Sequence, residues 1–528
     1  MKVGWIDYLN TLPFGIENFK DLEIVKDYPA NLNKLLKDKK IDVGIVSVAE
    51  YLESFYQYLI IPDLSISSYK EVGSVIIASD IPIELVETIY VTKESKTSFY
   101  LTRVIFEIFL NKKPEYKTFD SYKKRQTVLL IGDKALEFKK DYSYVYDLSS
   151  LWFSKTKLPF TFALWCVNKD FFLKNQNRVN EFGKILKKNV ESFFSKIDNL
   201  DLENWKKDYL KNLKYDFDKE SIESVRLFSR YLLQLNIIKT LPDIRFTDGK
   251  VITADGTQTF FNFDYNEAYH STKAGSYTES LYKFVIPCKI DSISKEKGKL
   301  DILDVGFGLG YNVAVAIKVA KESNPNVKLN IISVEKDQHF IDRINSMDIP
   351  ENLKKEFEIV KSLTKSFITL NSKEYLAYKY VDENVNLIVI VGEGREVLQN
   401  LAKENYKFDA VFYDPFSPKV NTEMWTFDIF NVVKSLMREK AILATYSAAL
   451  PVRKGLMEAG FKIGLVEPVG RRSYSTVATL EGDIPPIPEK ELERLKNSPL
   501  SKPYRDECLC KSKEEIWEEY QRSVNFSS

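Results

Sequence analysis

The chain has 528 residues, a formal charge of +1 from 76 basic and 75 acidic side chains, 44% apolar residues, four cysteines and two histidines. Balanced charge excludes a polybasic nucleic-acid coat and an acidic disordered chain, and so few cysteines exclude a disulfide framework. Two distant histidines, His270 and His339, leave little material for a structural zinc site or a Ser-His-Asp mechanism.

At roughly 150 residues per domain, the length predicts three to four compact units that need no metal or disulfide staple. No basic-then-apolar leader opens the chain, and no apolar run approaches the roughly 20 residues of a membrane span. A cytoplasmic protein with no membrane partner is expected.

From the N-terminus, 2–6, 41–46, 72–78, 89–91 and 128–131 are Val- and Ile-rich runs that read as strands, with helical stretches at 31–39 and 98–110. This alternation predicts an α/β unit with a mainly parallel core. Polar residues recur at its junctions: Asn10 and Thr11 after the first strand, Ser47 after the second, Ser74 before an apolar run, and Ser95, Thr97 and Ser98 before a helix. Hydroxyls and free N–H groups at helix starts suit carboxylates, because unpaired donors and the helix dipole both favour anions. A plain N-cap is the alternative for residues 95–98.

Apolar residues at helical spacing then run from Val179 to Phe194 and from Ile222 to Leu235. Segment 239–249, with Pro242 and Asp248-Gly249, reads as a seam dividing the chain into 1–238 and 239–528.

The order of motifs in the first half carries a resemblance. Tyr8-Leu-Asn10-Thr-Leu-Pro13, Ile41-Asp42-Val-Gly-Ile-Val-Ser47 with Glu50-Tyr51, Gly73-Ser74-Val75 and Ser95-Lys-Thr97-Ser98 come first. Gly132-Asp133, Tyr146-Asp147-Leu, Trp152 and Leu158-Pro-Phe160 through Trp165 follow, with Lys157 where glycine is usual. The set resembles chorismate dehydratase, the opening enzyme of the futalosine route to menaquinone. That resemblance implies the two-lobed fold of type II periplasmic solute-binding proteins, with chorismate between the lobes and neither metal nor cofactor. It also implies Asn10 and Ser74 as the catalytic polar pair. The same fold mostly binds solutes without reacting them, so a small-anion sensor is the competing reading.

In the second half, Asp301-Ile-Leu-Asp304-Val-Gly306-Phe-Gly308-Leu-Gly310 is a strand entering three alternating glycines and then a helix. Glycines let the backbone turn and approach a ligand closely; an ordinary tight turn is the alternative. A second strand, 331–335, ends in Glu335, where a carboxylate accepts ribose hydroxyls. The lack of a phosphate-binding lysine favours S-adenosylmethionine over a nucleoside triphosphate. A third strand, 387–391, leads to Glu393, placed to read an adenine amino group or else a solvated loop acid. A fourth, 408–414, ends in Asp414, beside a Pro-bracketed loop whose Phe416 can stack on a base.

These motifs, from Phe263-Asp-Tyr-Asn-Glu-Ala-Tyr-His270-Ser and Glu279 through Met424-Trp425, Ala444-Thr-Tyr446-Ser and Arg453 to Lys502-Pro-Tyr-Arg-Asp506, carry a second resemblance. They resemble the methyltransferase domain of the bifunctional protein that completes 5-methylaminomethyluridine at the tRNA wobble position. The resemblance implies a Rossmann-like fold, S-adenosyl-L-methionine as cofactor and tRNA as partner. Asp414 is read as the acid that orients the amine, since methyl transfer needs a nitrogen lone pair aimed at the sulfonium methyl. The family usually has aspartate at Glu393 and glycine at Pro415. Methyl or aminopropyl transfer to a small amine is the alternative. Arg471-Arg472 is a local basic pair on an otherwise neutral chain, and Cys508 and Cys510 read as two reduced thiols.

Overall fold

A computed structural model describes residues 1–15, 19, 22–92, 95–119 and 124–525, which fold as two compact units, Met1–Lys250 and Val251–Ser528. Residues 239–250 pack with the first unit: the Tyr51 hydroxyl donates to the Asp243 carbonyl (2.8 Å), accepts from the Arg245 N–H (3.0 Å), and Thr247 N–H donates to the Ile60 carbonyl (2.9 Å).

The first unit has two lobes. One holds β1 (Lys2–Trp5), β2 (Glu23–Lys26), β3 (Val43–Ser47), β4 (Tyr58–Ser68) and β10 (Phe160–Asn168), ordered β2-β1-β3-β10-β4. The other holds β5 (Val75–Ser79), β6 (Thr88–Thr92), β7 (Glu115–Phe119), β8 (Thr127–Ile131) and β9 (Tyr144–Asp147), ordered β7-β6-β8-β5-β9. The predicted core is corrected here, because both sheets are mixed rather than mainly parallel. β10 runs antiparallel to β3 and β4, and β5 runs antiparallel to β8 and β9. Each is the first strand entered after the chain crosses between lobes. It therefore starts at the hinge, where its βα-type neighbours end.

Both crossings are tied at one side chain. Asp147 accepts from Val72 N–H (3.0 Å), Gly73 N–H (2.8 Å) and, as N-cap of helix Leu148–Thr156, Ser150 N–H (3.0 Å). Behind it, Trp152 is fully buried against Phe160, Phe228 and Tyr231, and its indole N–H donates to Ser224 (3.0 Å).

The short strands β11 (Ile244–Arg245), β12 (Lys250–Ile252), β13 (Gln258–Asn262) and β14 (Glu267–Ala268) precede the main sheet of the second unit. That sheet contains β15 (Lys299–Val305), β16 (Lys328–Glu335), β17 (Thr364–Leu370), β18 (Lys373–Val381), β19 (Val385–Val391), β20 (Phe408–Tyr413), β21 (Met437–Thr445), β22 (Lys462–Val466) and β23 (Ser475–Thr479). Its order is β17-β18-β19-β16-β15-β20-β21-β23-β22, with a parallel centre from β19 to β21.

The central strands are apolar on both faces, as parallel strands covered by helices must be. Leu300 and Ile302 join the core on one side, Leu303 and Val305 that on the other, the period-2 alternation of a strand. The chain leaves β15 for β16 on one side and reaches β20 on the other. The loop after β15 thus lies at the switch point, where doubly wound sheets bind ligands. Among the described residues no helix is long and apolar enough to cross a membrane.

Candidate active sites

In the first unit, Asn10 sits in the 3-10 turn Leu9–Phe14 that follows β1. Its main-chain carbonyl accepts from the Tyr215 hydroxyl (2.9 Å), while its side-chain Oδ1 is shielded from solvent and has no partner. A buried acceptor left open is costly and calls for a ligand donor. Ser74, at the entry to β5, is nearly buried, with its Oγ 3.4 Å from the Tyr209 hydroxyl. Burial pushes the Tyr215 phenol well above its ordinary pKa, and neighbouring Tyr209 adds to this. Asn10 and Ser74, on different lobes, thus each meet a phenol, Tyr215 and Tyr209, and the second acts electrostatically on the first.

The remaining predicted residues differ in what they leave free. Thr11 donates its hydroxyl to the Ile6 (2.6 Å) and Tyr8 (2.8 Å) carbonyls, which fixes the turn. Ser47 caps helix Val48–Ser54, accepting from Glu50 N–H (3.4 Å) and from Asn33 Nδ2 (3.2 Å). Ser95 caps helix Lys96–Arg103 through Ser98 N–H (3.2 Å), with the Ser98 hydroxyl 2.9 Å away. The N-cap geometry set out for residues 95–98 is therefore present. Thr97 accepts from Ala49 N–H (3.1 Å), joining the helix starts of the two lobes. Tyr209, Tyr215, Asn33 and the hinge acid Asp147 were not singled out by sequence. Only Asp147 had a signal, inside the Tyr146-Asp147-Leu motif.

In the second unit, Gly306, Gly308 and Gly310 take φ of +94°, +54° and +78°, a region that favours glycine. Gly306 and Phe307 N–H groups donate to the Val334 carbonyl (3.0 and 3.2 Å), binding the loop to β16. A Cβ at Gly306 would stand 2.6 Å from the Asp414 carbonyl oxygen, and one at Gly308 3.1 Å from the Tyr269 ring.

Glu335 is buried; its Oε2 accepts from Gly308 N–H (2.7 Å) and its Oε1 from Asp337 N–H (2.8 Å). It therefore braces the loop. Burial raises its pKa against those two donors. Asp304 is fully buried: Oδ2 accepts from Ser333 (2.9 Å), and Oδ1 has no partner. Burial, aided by the charge of Glu335, pushes Asp304 up to about 8. The tight glycine cradle and this open acceptor fit S-adenosylmethionine, a cation with an ammonium donor.

Asp414 follows β20, and its Oδ2 accepts from Asn312 Nδ2 (2.9 Å); Asn312 Oδ1 in turn accepts from Ser280 (2.7 Å). Burial and the nearby Glu279 charge push Asp414 well above the carboxylate range. Glu279 goes the other way. Burial would raise it, but His270 and Lys283, the latter 2.6 Å from Oε1, hold it below that range.

Phe416 already stacks on Tyr265, centroids 4.4 Å apart and planes 17° apart, so one face of the predicted base platform is occupied. Glu393 is not a solvated loop acid. It caps helix Gly394–Lys403 through Glu396 N–H (3.1 Å) and accepts from Arg395 Nε (3.2 Å). Arg395 Nη1 donates to the fully buried Asp506 (2.7 Å), tying the C-terminal tail to this edge of the crevice.

The reading of Cys508 and Cys510 as reduced thiols is corrected: they form a disulfide. Leu509, at φ +52°, closes the turn and brings their Cα atoms to 5.2 Å, within disulfide reach. The pair lies beside Asp506, whose Oδ1 accepts from Cys510 and Lys511 N–H (3.1 Å each). These three side chains offer potential metal-ligand atoms within 4.8 Å of one another, but in this fold the two sulfurs are bonded together.

Comparison with known proteins gives two family matches. A family described as menaquinone biosynthesis matches residues 1–234, and one described as S-adenosyl-L-methionine-dependent methyltransferase matches residues 354–481. An uncharacterized protein of Methanocaldococcus jannaschii is 32% identical over 271 residues, 51% of this chain and 70% of that protein. The tRNA 5-methylaminomethyl-2-thiouridine biosynthesis bifunctional protein MnmC of Campylobacter concisus is 30% identical over 223 residues, 42% of this chain and 34% of that protein. The chain thus spans about a third of the length of that relative. The crystal structure of MNMC2 from Aquifex aeolicus is similar at 38% identity over 53% of this chain and 85% of that one, with a TM-score of 0.46. The chain belongs to the same family as the Methanocaldococcus protein, and it joins a menaquinone-biosynthesis domain at the N-terminus to an S-adenosyl-L-methionine-dependent methyltransferase domain at the C-terminus.

Proposed function

We propose that the first unit dehydrates chorismate to 3-[(1-carboxyvinyl)oxy]benzoate. The reading rests on the menaquinone-biosynthesis match and, above all, on the open, solvent-shielded Oδ1 of Asn10, beside the phenols Tyr215 and Tyr209 that meet the Asn10 main-chain carbonyl and the Ser74 hydroxyl. The elimination breaks a ring C–H bond and the neighbouring C–OH bond, forms the last ring double bond and releases water. Aromatisation drives it, so the site has only to clamp two carboxylates, exclude water and align the breaking bonds. Asn10 orients the leaving hydroxyl or a carboxylate, and Ser74 hydrogen-bonds where the proton departs. Ser47, Ser95, Thr97 and Ser98 offer donors for the carboxylates, and Thr11 fixes the turn that carries Asn10. Purified protein given chorismate should consume it and produce an aromatic acid, seen by chromatography. An unchanged solution at saturating chorismate would make this unit a small-anion sensor.

We further propose that the second unit methylates the amine of 5-aminomethyluridine at the tRNA wobble position. Gly306, Gly308 and Gly310 cradle the cofactor, with Asp304, Glu335 and Glu393 around its amino acid, ribose and adenine groups. S-adenosylmethionine, when bound, supplies an electrophilic methyl group. The observation that carries the reading is Asp414, held by Asn312 at Oδ2 and packed against Gly306. That leaves Oδ1 to accept a hydrogen bond from the amine and aim its lone pair, and later to take up the proton the nitrogen sheds. Methyl transfer from labelled cofactor to undermodified bulk tRNA should exceed transfer to polyamines. The reverse order would make the substrate a small amine.

A further inference from the structure

The turn 467–474 joins β22 to β23 at the end of the sheet where Asp414 also lies, since β22 runs in the direction of β21 and β20. Gly470, at φ +69°, packs so closely on residue 274 that a Cβ would meet the Ala274 nitrogen at 2.5 Å. The turn is thereby pinned over the segment that leads to Glu279. Arg471, which as half of a basic pair would ordinarily be solvated, instead lies with its guanidinium over the Tyr446 ring, 5.7 Å from the centroid. Tyr446 is itself fixed, donating its hydroxyl to the Pro415 carbonyl (2.9 Å) next to Asp414.

Both Nε and Nη2 of Arg471 are shielded from water and have no hydrogen-bond partner, and the residue takes part in no ion pair among the described residues. Its neighbour Arg453 shows the ordinary arrangement, satisfied by Glu491 (3.0 Å), Thr476 (3.0 Å) and the Tyr474 carbonyl (2.9 Å). Glu279, an acid whose charge acts on Arg471, is already engaged by Lys283 and by Ser271 N–H (2.6 Å each). A desolvated guanidinium with an idle Nε/Nη2 edge is costly, and that edge matches the two oxygens of an oxyanion.

We propose that Arg471 is the phosphate-binding residue of the methyl-acceptor site, taking two oxygens of a phosphodiester next to the nucleotide being methylated. This rests on the tRNA reading above and names how a nearly neutral chain grips RNA. The cofactor is not the anion's source on the placement proposed above, which puts it at the ends of β15, β16 and β19, whereas Arg471 lies beyond β20 and β21. One well-placed, dehydrated contact replaces the diffuse positive surface that RNA binding ordinarily uses.

The test compares wild type, Arg471→Gln and Arg471→Lys in the full chain. The substrates are an anticodon stem–loop carrying 5-aminomethyluridine and the corresponding free nucleoside, with cofactor affinity measured by calorimetry. Arg471→Gln should raise KM for the stem–loop at least tenfold, leave kcat within about threefold and leave cofactor affinity and nucleoside turnover unchanged. Arg471→Lys should recover part of the loss. The slope of log affinity for RNA against log salt should shrink by about 0.7 to 0.9, one phosphate contact. Weakened cofactor binding, an equal loss on nucleoside and stem–loop, or an unmoved KM for RNA would each overturn the assignment while leaving the tRNA reading intact. A wild type that methylates polyamines but no RNA removes the tRNA reading and this proposal together.

Discussion

The two candidate sites meet opposite electrostatic demands. The first is assembled from an amide, hydroxyls and phenols, and its open atom is a neutral acceptor, Asn10 Oδ1. The second is assembled around carboxyls, two of which, Asp304 and Asp414, burial pushes upward, Asp304 to about 8. The difference follows from the proposed ligands. A dicarboxylate brings its own negative charge and asks for donors, so additional acids would repel it. A sulfonium cofactor brings positive charge, and buried acids become its counter-ions by losing protons on its arrival. One chain therefore carries two sites that respond differently to substitution and to pH.

The largest expected separation comes from Gly306→Ala. The new Cβ would lie 2.6 Å from a backbone oxygen, at a φ of +94° that alanine resists. Strain and displacement of about 2–4 kcal/mol fall on the cradle and on Asp414 together. Cofactor binding and methyl transfer should drop by about 100-fold or more. Chorismate turnover should stay at the wild-type rate. Loss of both activities would mean that the units are not independent.

Next in size are Asn10→Ala and Ser74→Ala, each expected to lower kcat on chorismate by about 10²–10³-fold, the range for removing one oriented polar group. Methyl transfer should be untouched. Full retention of turnover in both variants would sink the catalytic assignment. Retained chorismate binding by calorimetry, with lost turnover, would show that the pair acts on bond breaking rather than on capture.

How much of this was legible in the sequence depended on whether the determinant was local. Gly306-Phe-Gly308-Leu-Gly310 announces its turn because positive φ is written in residue type, and the β15 and β16 runs announce themselves by their Leu, Ile and Val residues. The antiparallel placing of β5 and β10 was not legible, because it depends on where the chain crosses between lobes rather than on any strand's own composition. Tyr209 and Tyr215 were invisible for a related reason: they come from the closing helical section and reach Ser74 and Asn10 across more than a hundred residues. Glu393 was read as facing a ligand or water, whereas Arg395 two residues on, drawn in by Asp506, claims one of its oxygens. The Cys508–Cys510 bond depended on Leu509 taking a left-handed conformation, which leucine does not advertise.

The pH response should separate the sites more gently. Asp304 has a folded pKa of about 8 against an ordinary 3.8, so between those values the folded chain binds the extra proton. Its contribution to stability is full below pH 4 and is lost as pH rises through about 8, at up to about 1.4 kcal/mol per pH unit. Without cofactor, the denaturant midpoint of the second unit should fall across that window, and Asp304→Asn should flatten the fall. Cofactor binding near pH 7 should release protons, measured by calorimetry in buffers of different ionisation enthalpy. The first unit, whose open atom is a neutral amide oxygen, should bind chorismate without comparable proton release.

The smallest effect should come from the tail. Asp506 is fully buried and holds Arg395, which shares Glu393 with the cap of helix Gly394–Lys403. Removing the guanidinium in Arg395→Ala leaves the helix cap intact, because Glu396 N–H still reaches Glu393 (3.1 Å). It frees the carboxylate to rotate away from the adenine position. Three hydrogen bonds, to Glu393, Asp506 and the Lys511 carbonyl, are lost to stability, each charge-assisted one at about 1.5–3 kcal/mol, but only the orientational part reaches the cofactor. Its affinity should fall about threefold to tenfold, a shift of about 0.6–1.4 kcal/mol. Reducing the Cys508–Cys510 bond should do less, since the Cys510 and Lys511 N–H groups that hold Asp506 do not depend on the sulfurs. If reduction instead weakened cofactor binding more than Arg395→Ala does, the disulfide rather than the ion pair would be what keeps the tail in place.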